Sequence, residues 1–208
     1  MATVSQKNVT LFILAAFAYA LMVHASDPDI LSDFIVPDNI NVIDGKFFAY
    51  TGLRGAFDFE NSTTYKGVPA SLKEFPALNG QSVSMAVLQF PPNAINPPHT
   101  RPHSTGLLLL IDGSLEVGFV DTSNKLYTQS LEAGDIFIFP KSLVHYQYNA
   151  SPTAPATAIA AFGSASSGSV AVPSTIFATG VDDTILAKSF KTDVATIEKI
   201  KKGLASKA

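Results

Sequence analysis

The chemistry this sequence offers is concentrated in two short stretches. The first is Asn96-Pro97-Pro98-His99-Thr100-Arg101-Pro102-His103-Ser104-Thr105-Gly106. The second is Gly134-Asp135-Ile136-Phe137-Ile138-Phe139-Pro140, which runs into Leu143-Val144-His145-Tyr146-Gln147. Imidazoles exchange protons near neutral pH and can ligate metals. A guanidinium stays charged and holds carboxylates through paired donors. In an extended segment, residues 99, 101 and 103 share a face, so His99, Arg101 and His103 are candidates for one pocket. Pro102 interrupts that path, and a surface position for His103 beside the pocket mouth is the equal alternative. His145 and Gln147 likewise share a face, with Tyr146 and Tyr148 on the other. Together these residues suit proton transfer: His99, His145 and His103 would carry protons while Arg101 holds a carboxylate, phenolate or developing enolate. Asn96 and Gln147 would add amides to the pocket, and a turn-stabilising role is the alternative for Asn96. Zinc or copper on His99, His103 and His145 is a further option, opposed by the fixed positive charge of Arg101.

Strands must position these side chains. From Ser82 onward the pattern alternates: Val83, Met85 and Val87 are read on one side of a barrel wall that ends at Pro91-Pro92. Leu107 to Ile111 and Ser114 to Val120 read as strands, with Asp112-Gly113 between them as the signal for a tight hairpin. Leu115, Val117 and Phe119 share one face of the return strand, and Ser114, Glu116 and Gly118 the other. Further strands are expected at Ile136 to Phe139, Val144 to Tyr148 and Ala154 to Phe162. Short strands at this spacing, divided by turn signals, predict a mainly β fold, an antiparallel barrel or sandwich. Asp182-Asp183 and Thr192-Asp193 each mark a helix start, and Val194, Ile197, Ile200 and Leu204 line one side of the second helix. The expected organisation is a segment 1–25, an arm with short strands over 26–80, a β-barrel over 81–180 and C-terminal helices over 181–208. Phe34, Phe47, Phe48, Phe57, Phe59 and Phe75 are read as packing residues of the arm, laid over the barrel.

Residues 1–25 read as an export signal: one Lys, an apolar run from Val9 to Val23, and Val23-His24-Ala25 as the cleavage pattern. The remainder is long enough for one domain with its own core. The net charge of −3 argues against a nucleic-acid surface. The count of zero cysteines is notable in an exported chain. Asn61-Ser62-Thr63 and Asn149-Ala150-Ser151 are sequons, so Asn61 and Asn149 are candidate glycosylation sites.

The two blocks resemble the two cupin boxes of plant germin-like proteins. In that family the first box reads roughly Pro-His-x-His-x-x-x-x-Glu and the second ends in a His, placing three imidazoles and a carboxylate around manganese. His99 and His145 match the first and last positions. Arg101 stands at the second His and Gly106 at the Glu, so half of the ligand set is replaced. The resemblance also implies a disulfide whose two positions are held here by Ile35 and Phe48, so a hydrophobic contact is expected instead. It implies a germin-type cupin barrel or jelly roll with C-terminal helices that clasp a neighbour in a trimer of dimers, and a protein secreted to the apoplast or another compartment of the secretory pathway. With manganese not expected as a cofactor, the reading is a metal-independent lyase, isomerase or cyclase acting on a small anionic metabolite. The alternatives are a non-catalytic ligand-binding, defence or cell-wall protein, and a weak manganese superoxide dismutase.

Overall fold

A computed structural model describes residues 27–58 and 63–205. The expected export signal and Asn61 lie outside the described residues. Among the described residues, ten strands form two five-stranded antiparallel sheets. The first contains β1 (Lys66–Ala70), β2 (Ser84–Phe90), β9 (Ala156–Phe162), β4 (Gly106–Asp112) and β7 (Ile136–Phe139), in that spatial order. The second contains β10 (Val170–Ala171), β3 (Ile95–Thr100), β8 (Val144–Tyr148), β5 (Ser114–Val120) and β6 (Leu126–Glu132). The inner faces bury Leu88, Phe90, Leu108, Leu110, Leu115, Val117, Leu131, Phe139 and Phe162 in one core. Apolar side chains at alternate positions drive this closure, because each sheet hides its greasy face only against the other.

Two expectations about the strands are corrected. Asp112-Gly113 does not make a hairpin: β4 and β5 lie in opposite sheets, and β5 pairs with β6 and β8. Gly113 is the corner between the sheets, with φ +81° and the site of a would-be Cβ only 2.5 Å from the Pro155 carbonyl. A turn signal fixes the local bend but not which sheet receives the next strand. In β2 the expected alternation also breaks down, since Val87 is buried along with its neighbours Ala86 and Leu88. Ala86, Leu88 and Phe90 join the core, while Val83 and Met85 are exposed. Both faces of this strand are apolar, so alternation alone could not tell inside from outside.

The arm contributes β1 to the edge of the first sheet, paired with β2. Phe34 and Phe48 stay partly exposed and meet edge to face, with ring centroids 5.1 Å apart, and Phe47 lies 4.9 Å from Phe48. The aromatic partner of Phe48 is thus Phe34 rather than the expected Ile35. Phe57 is exposed as well. The two helices expected after residue 181 are present, α2 (Asp183–Phe190) and α3 (Val194–Ala205), and a shorter α1 (Val172–Phe177) precedes them. Asp182 caps α2 by accepting from the amides of Thr184 and Ile185, and Asp193 accepts from that of Thr196. Leu186, Ala187 and Ile197 close a small core of their own with Ile176 and Phe177. No described helix is long and apolar enough to cross a membrane.

Candidate functional site

An irregularity in β3 assembles the site. Asn96 pairs in register with Gln147, and His99 with His145, so three residues of β3 span two of β8. The extra residue falls at Pro97-Pro98, where a bulge is tolerated because proline cannot give the ladder a donor. Without it Asn96 and His99 would face opposite sides; with it both are buried inside. On β8 the ordinary alternation places His145 and Gln147 on that same inner side. The Asn96 amide donates to Gln147 Oε1 at 2.6 Å. These two amides satisfy one another at the back of the site.

The two imidazoles lie side by side and tilted by 50°, with ring centroids 4.1 Å apart, and Phe139 stacks on His145 at 4.6 Å. Each ring is fixed by its own strand: His99 Nδ1 donates to the Pro97 carbonyl at 2.8 Å, and His145 Nδ1 to the Leu143 carbonyl at 2.9 Å. A carbonyl accepts only, so each Nδ1 carries the proton and each Nε2 presents a lone pair. Burial pushes the His99 pKa down to about 4, helped by the neighbouring His145 and Arg101. Burial, with Arg101, does the same to His145, also to about 4. Both rings are therefore neutral bases at neutral pH.

Arg101 follows His99 by two residues, at the end of β3. Its guanidinium carbon sits 4.1 Å from the Phe162 ring centroid, and Nη1 donates to Ser167 Oγ at 3.2 Å and to the Gly168 carbonyl at 3.1 Å. Burial pulls its pKa down from the ordinary range, and the Tyr65 phenol counteracts this. Among the described residues Arg101 forms no ion pair with a carboxylate. It borders two spaces. The inner one, shared with His99, His145, Asn96, Gln147 and Gly106, has about 10 Å³, room for one water. The outer one has about 430 Å³ and is bordered by Tyr65, Lys73, Met85, Phe162 and the loop Ser166 to Ser169.

His103 is not brought to the imidazole pair. Beyond Thr100 the chain leaves β3, and His103 is exposed, its Nδ1 3.0 Å from the Ser166 carbonyl. Pro102 ends the extended path that would have kept it on the face of His99. Asn149 is equally unsuited to glycosylation in the folded chain. It is fully buried, and its amide donates to the carbonyls of Phe90, Pro91 and Ala154. Attachment of a glycan would need that same nitrogen exposed. Tyr65, Phe162, Lys73 and the loop Ser166 to Ser169 were not singled out in the sequence, since they reach Arg101 from distant segments without a local motif.

The donor set does not fit manganese. Among the described residues no three His, Cys, Asp or Glu side chains come together. A hard dication at the weak end of the Irving–Williams order favours oxygen donors, and here it would meet two neutral nitrogens and a guanidinium. At Gly106 a Cβ would touch the Phe162 ring at 3.5 Å and Phe139 Cβ at 3.9 Å. The place of a carboxylate there is taken by aromatic rings.

The Cupin family model matches residues 60–198. Germin-like protein 9-3 of Oryza sativa subsp. japonica is 53% identical over 207 residues, covering 95% of this chain and 96% of its own length. A solved structure of oxalate oxidase in complex with the substrate analogue glycolate superimposes with a TM-score of 0.78 at 28% identity, covering 88% of this chain and all of that one. Peruvianin-I, a cysteine peptidase from Thevetia peruviana latex, superimposes with a TM-score of 0.64 at 28% identity, covering 70% of this chain and 97% of that one.

Proposed function

Because the chain belongs to the cupin family and, within it, to the germin-like proteins, we propose that it is a secreted member working without manganese, which holds a small organic anion on Arg101 and moves a proton with His99 or His145. The observation that carries this reading is the pairing of two neutral, buried imidazoles with a half-buried guanidinium that has no carboxylate of its own among the described residues. A partly desolvated cation without counter-charge attracts an anion. Lone pairs on fixed imidazoles are poised to take a proton as negative charge develops beside Arg101. Such a set supports eliminations, isomerisations or cyclisations. Oxidation of oxalate has no redox partner in these side chains, and with no cysteine in the sequence a thiolate peptidase mechanism has no nucleophile.

The test is elemental mass spectrometry of protein from a eukaryotic secretory host, before and after manganese incubation, joined to depletion of anions from a plant metabolite extract in the presence of a chelator. The expected result is far less than one metal ion per subunit and consumption of an anion that Arg101→Gln, His99→Gln and His145→Gln each abolish. Manganese near one per subunit, or undiminished consumption by all three variants, overturns it. A second reading, ligand binding without turnover, is favoured by the inner space of about 10 Å³, which keeps a substrate's bulk away from the imidazoles. It would show as saturable binding with no product.

The same reading includes assembly as a trimer of dimers. Its support is apolar surface left open on the outer face of the first sheet, where Leu107, Ile136 and Ile138 are exposed, and on the helices at Ile185, Phe190 and Leu204.

A further inference from the structure

Arg101 is a wall between two unequal spaces. The inner one admits a single water beside His99 and His145. The outer one, about 430 Å³, falls in the range of small-molecule sites, roughly 300–1,000 Å³. An anion of a few atoms would leave most of it unfilled.

The lining of the outer cavity is divided in kind. Met85, Leu88 and Phe162 offer apolar surface, while Arg101, Tyr65 and Lys73 offer donors. Of the two cations Arg101 is the half-buried one, and Nη1 is already given to Ser167 and Gly168, leaving other guanidinium donors for a ligand. Lys73 is exposed and contributes attraction at the rim. Burial raises the Tyr65 pKa to about 12, against the pull of Arg101, so its phenol keeps its proton and can donate. One half-buried charge beside apolar walls calls for one anionic head on an apolar body.

We propose that the outer cavity binds an amphipathic organic monocarboxylate of aryl-propionate size, its head on Arg101 and Tyr65 and its body against Met85, Leu88 and Phe162. This rests on the reading of Arg101 as an anion site and adds where the ligand's bulk lies and what chemistry it has.

Titration calorimetry at pH 7 on the full mature protein tests this with three probes: 3-phenylpropionate, acetate and the neutral 3-phenylpropanamide. Burial of the ring predicts that 3-phenylpropionate binds at least about tenfold more tightly than acetate. The amide should bind at least about tenfold more weakly than 3-phenylpropionate, since it cannot pair with a guanidinium. Met85→Trp, which fills the cavity without touching Arg101 or the histidines, should weaken 3-phenylpropionate and leave acetate unchanged. Equal affinities for acetate and 3-phenylpropionate in the unmodified protein overturn the cavity assignment while leaving Arg101 an anion site. Binding of the amide as tight as that of the acid, or no binding of either carboxylate, overturns the anion reading itself. The three-probe comparison needs no variant, so it stands even if Met85→Trp fails to fold.

Discussion

At the scale of single residues the site is defined by groups held in unfavourable company. The two imidazoles are bases whose folded pKa, about 4, lies below the ordinary value of 6.5. As pH falls the unfolded chain takes up protons first, so stability is fully present above about pH 6.5 and is lost progressively toward pH 4. Each ring accounts for on the order of 3 kcal/mol over that window. Urea midpoints measured between pH 7 and pH 4.5 should drop steeply for the unmodified protein and much less for a His99→Gln/His145→Gln variant; parallel curves would mean that the rings are not buried and neutral. The replaced ligand positions give a second expectation. Arg101→His alone should bind no manganese, whereas Arg101→His combined with Gly106→Glu restores three nitrogens and a carboxylate and should gain it, provided Phe162 yields to the new side chain. Elemental analysis of the two variants decides this. Much of this site was legible in the sequence. His99, Arg101, His145 and Gln147 lie at even spacings on strands, and Asn96 joined them through a Pro-Pro bulge that spacing alone would have placed on the other face. Tyr65 and Phe162 were not legible, because nothing in a single sequence says that the ends of β1 and β9 meet at Arg101.

At the scale of elements, six of the strands and several turns could be read, but β3, β6 and β10 could not, nor could the partnership of strands. Asp112-Gly113 carries the composition of a hairpin, yet the constraint that decides its fate is the carbonyl of Pro155 packed against it. The Asn149 side chain shows how such connections are held: one amide joins the end of β2 to the loop before β9, and its Oδ1 accepts from the Ser151 amide at 3.0 Å. Asn149→Ala would leave buried carbonyls unpaired and should cost about 3 kcal/mol. Asn149→Asp, which keeps the acceptor and loses the donors, should be no better. Thermal unfolding of both variants checks this, and a change within error in either would show that the network is not a restraint. Peptide mapping after folding should find the Asn149 side chain unmodified.

For the whole molecule the outward apolar faces matter most. The first sheet carries Ile136 and Ile138 at 61% and 55% exposure on β7, opposite the exposed Leu107 of β4. Surface of this kind is normally covered in solution. Light scattering after gel filtration should give a multiple of the subunit mass, and Ile138→Lys should reduce it; a monomer at micromolar concentration in the unmodified protein would contradict the proposed assembly. The helices could be read from capping acids and an apolar stripe, and α3 indeed buries Ile197 while Val194, Ile200 and Leu204 stay partly exposed. How many subunits share these faces was beyond any reading of one chain.

The aromatic contact of Phe34 with Phe48, in a sequence without a single cysteine, has a consequence for how the protein can be made. Its folding has no oxidative step, no mispaired disulfides and no need for a disulfide isomerase. Reducing agents should leave its melting temperature unchanged, and refolding from urea should proceed equally well with or without dithiothreitol.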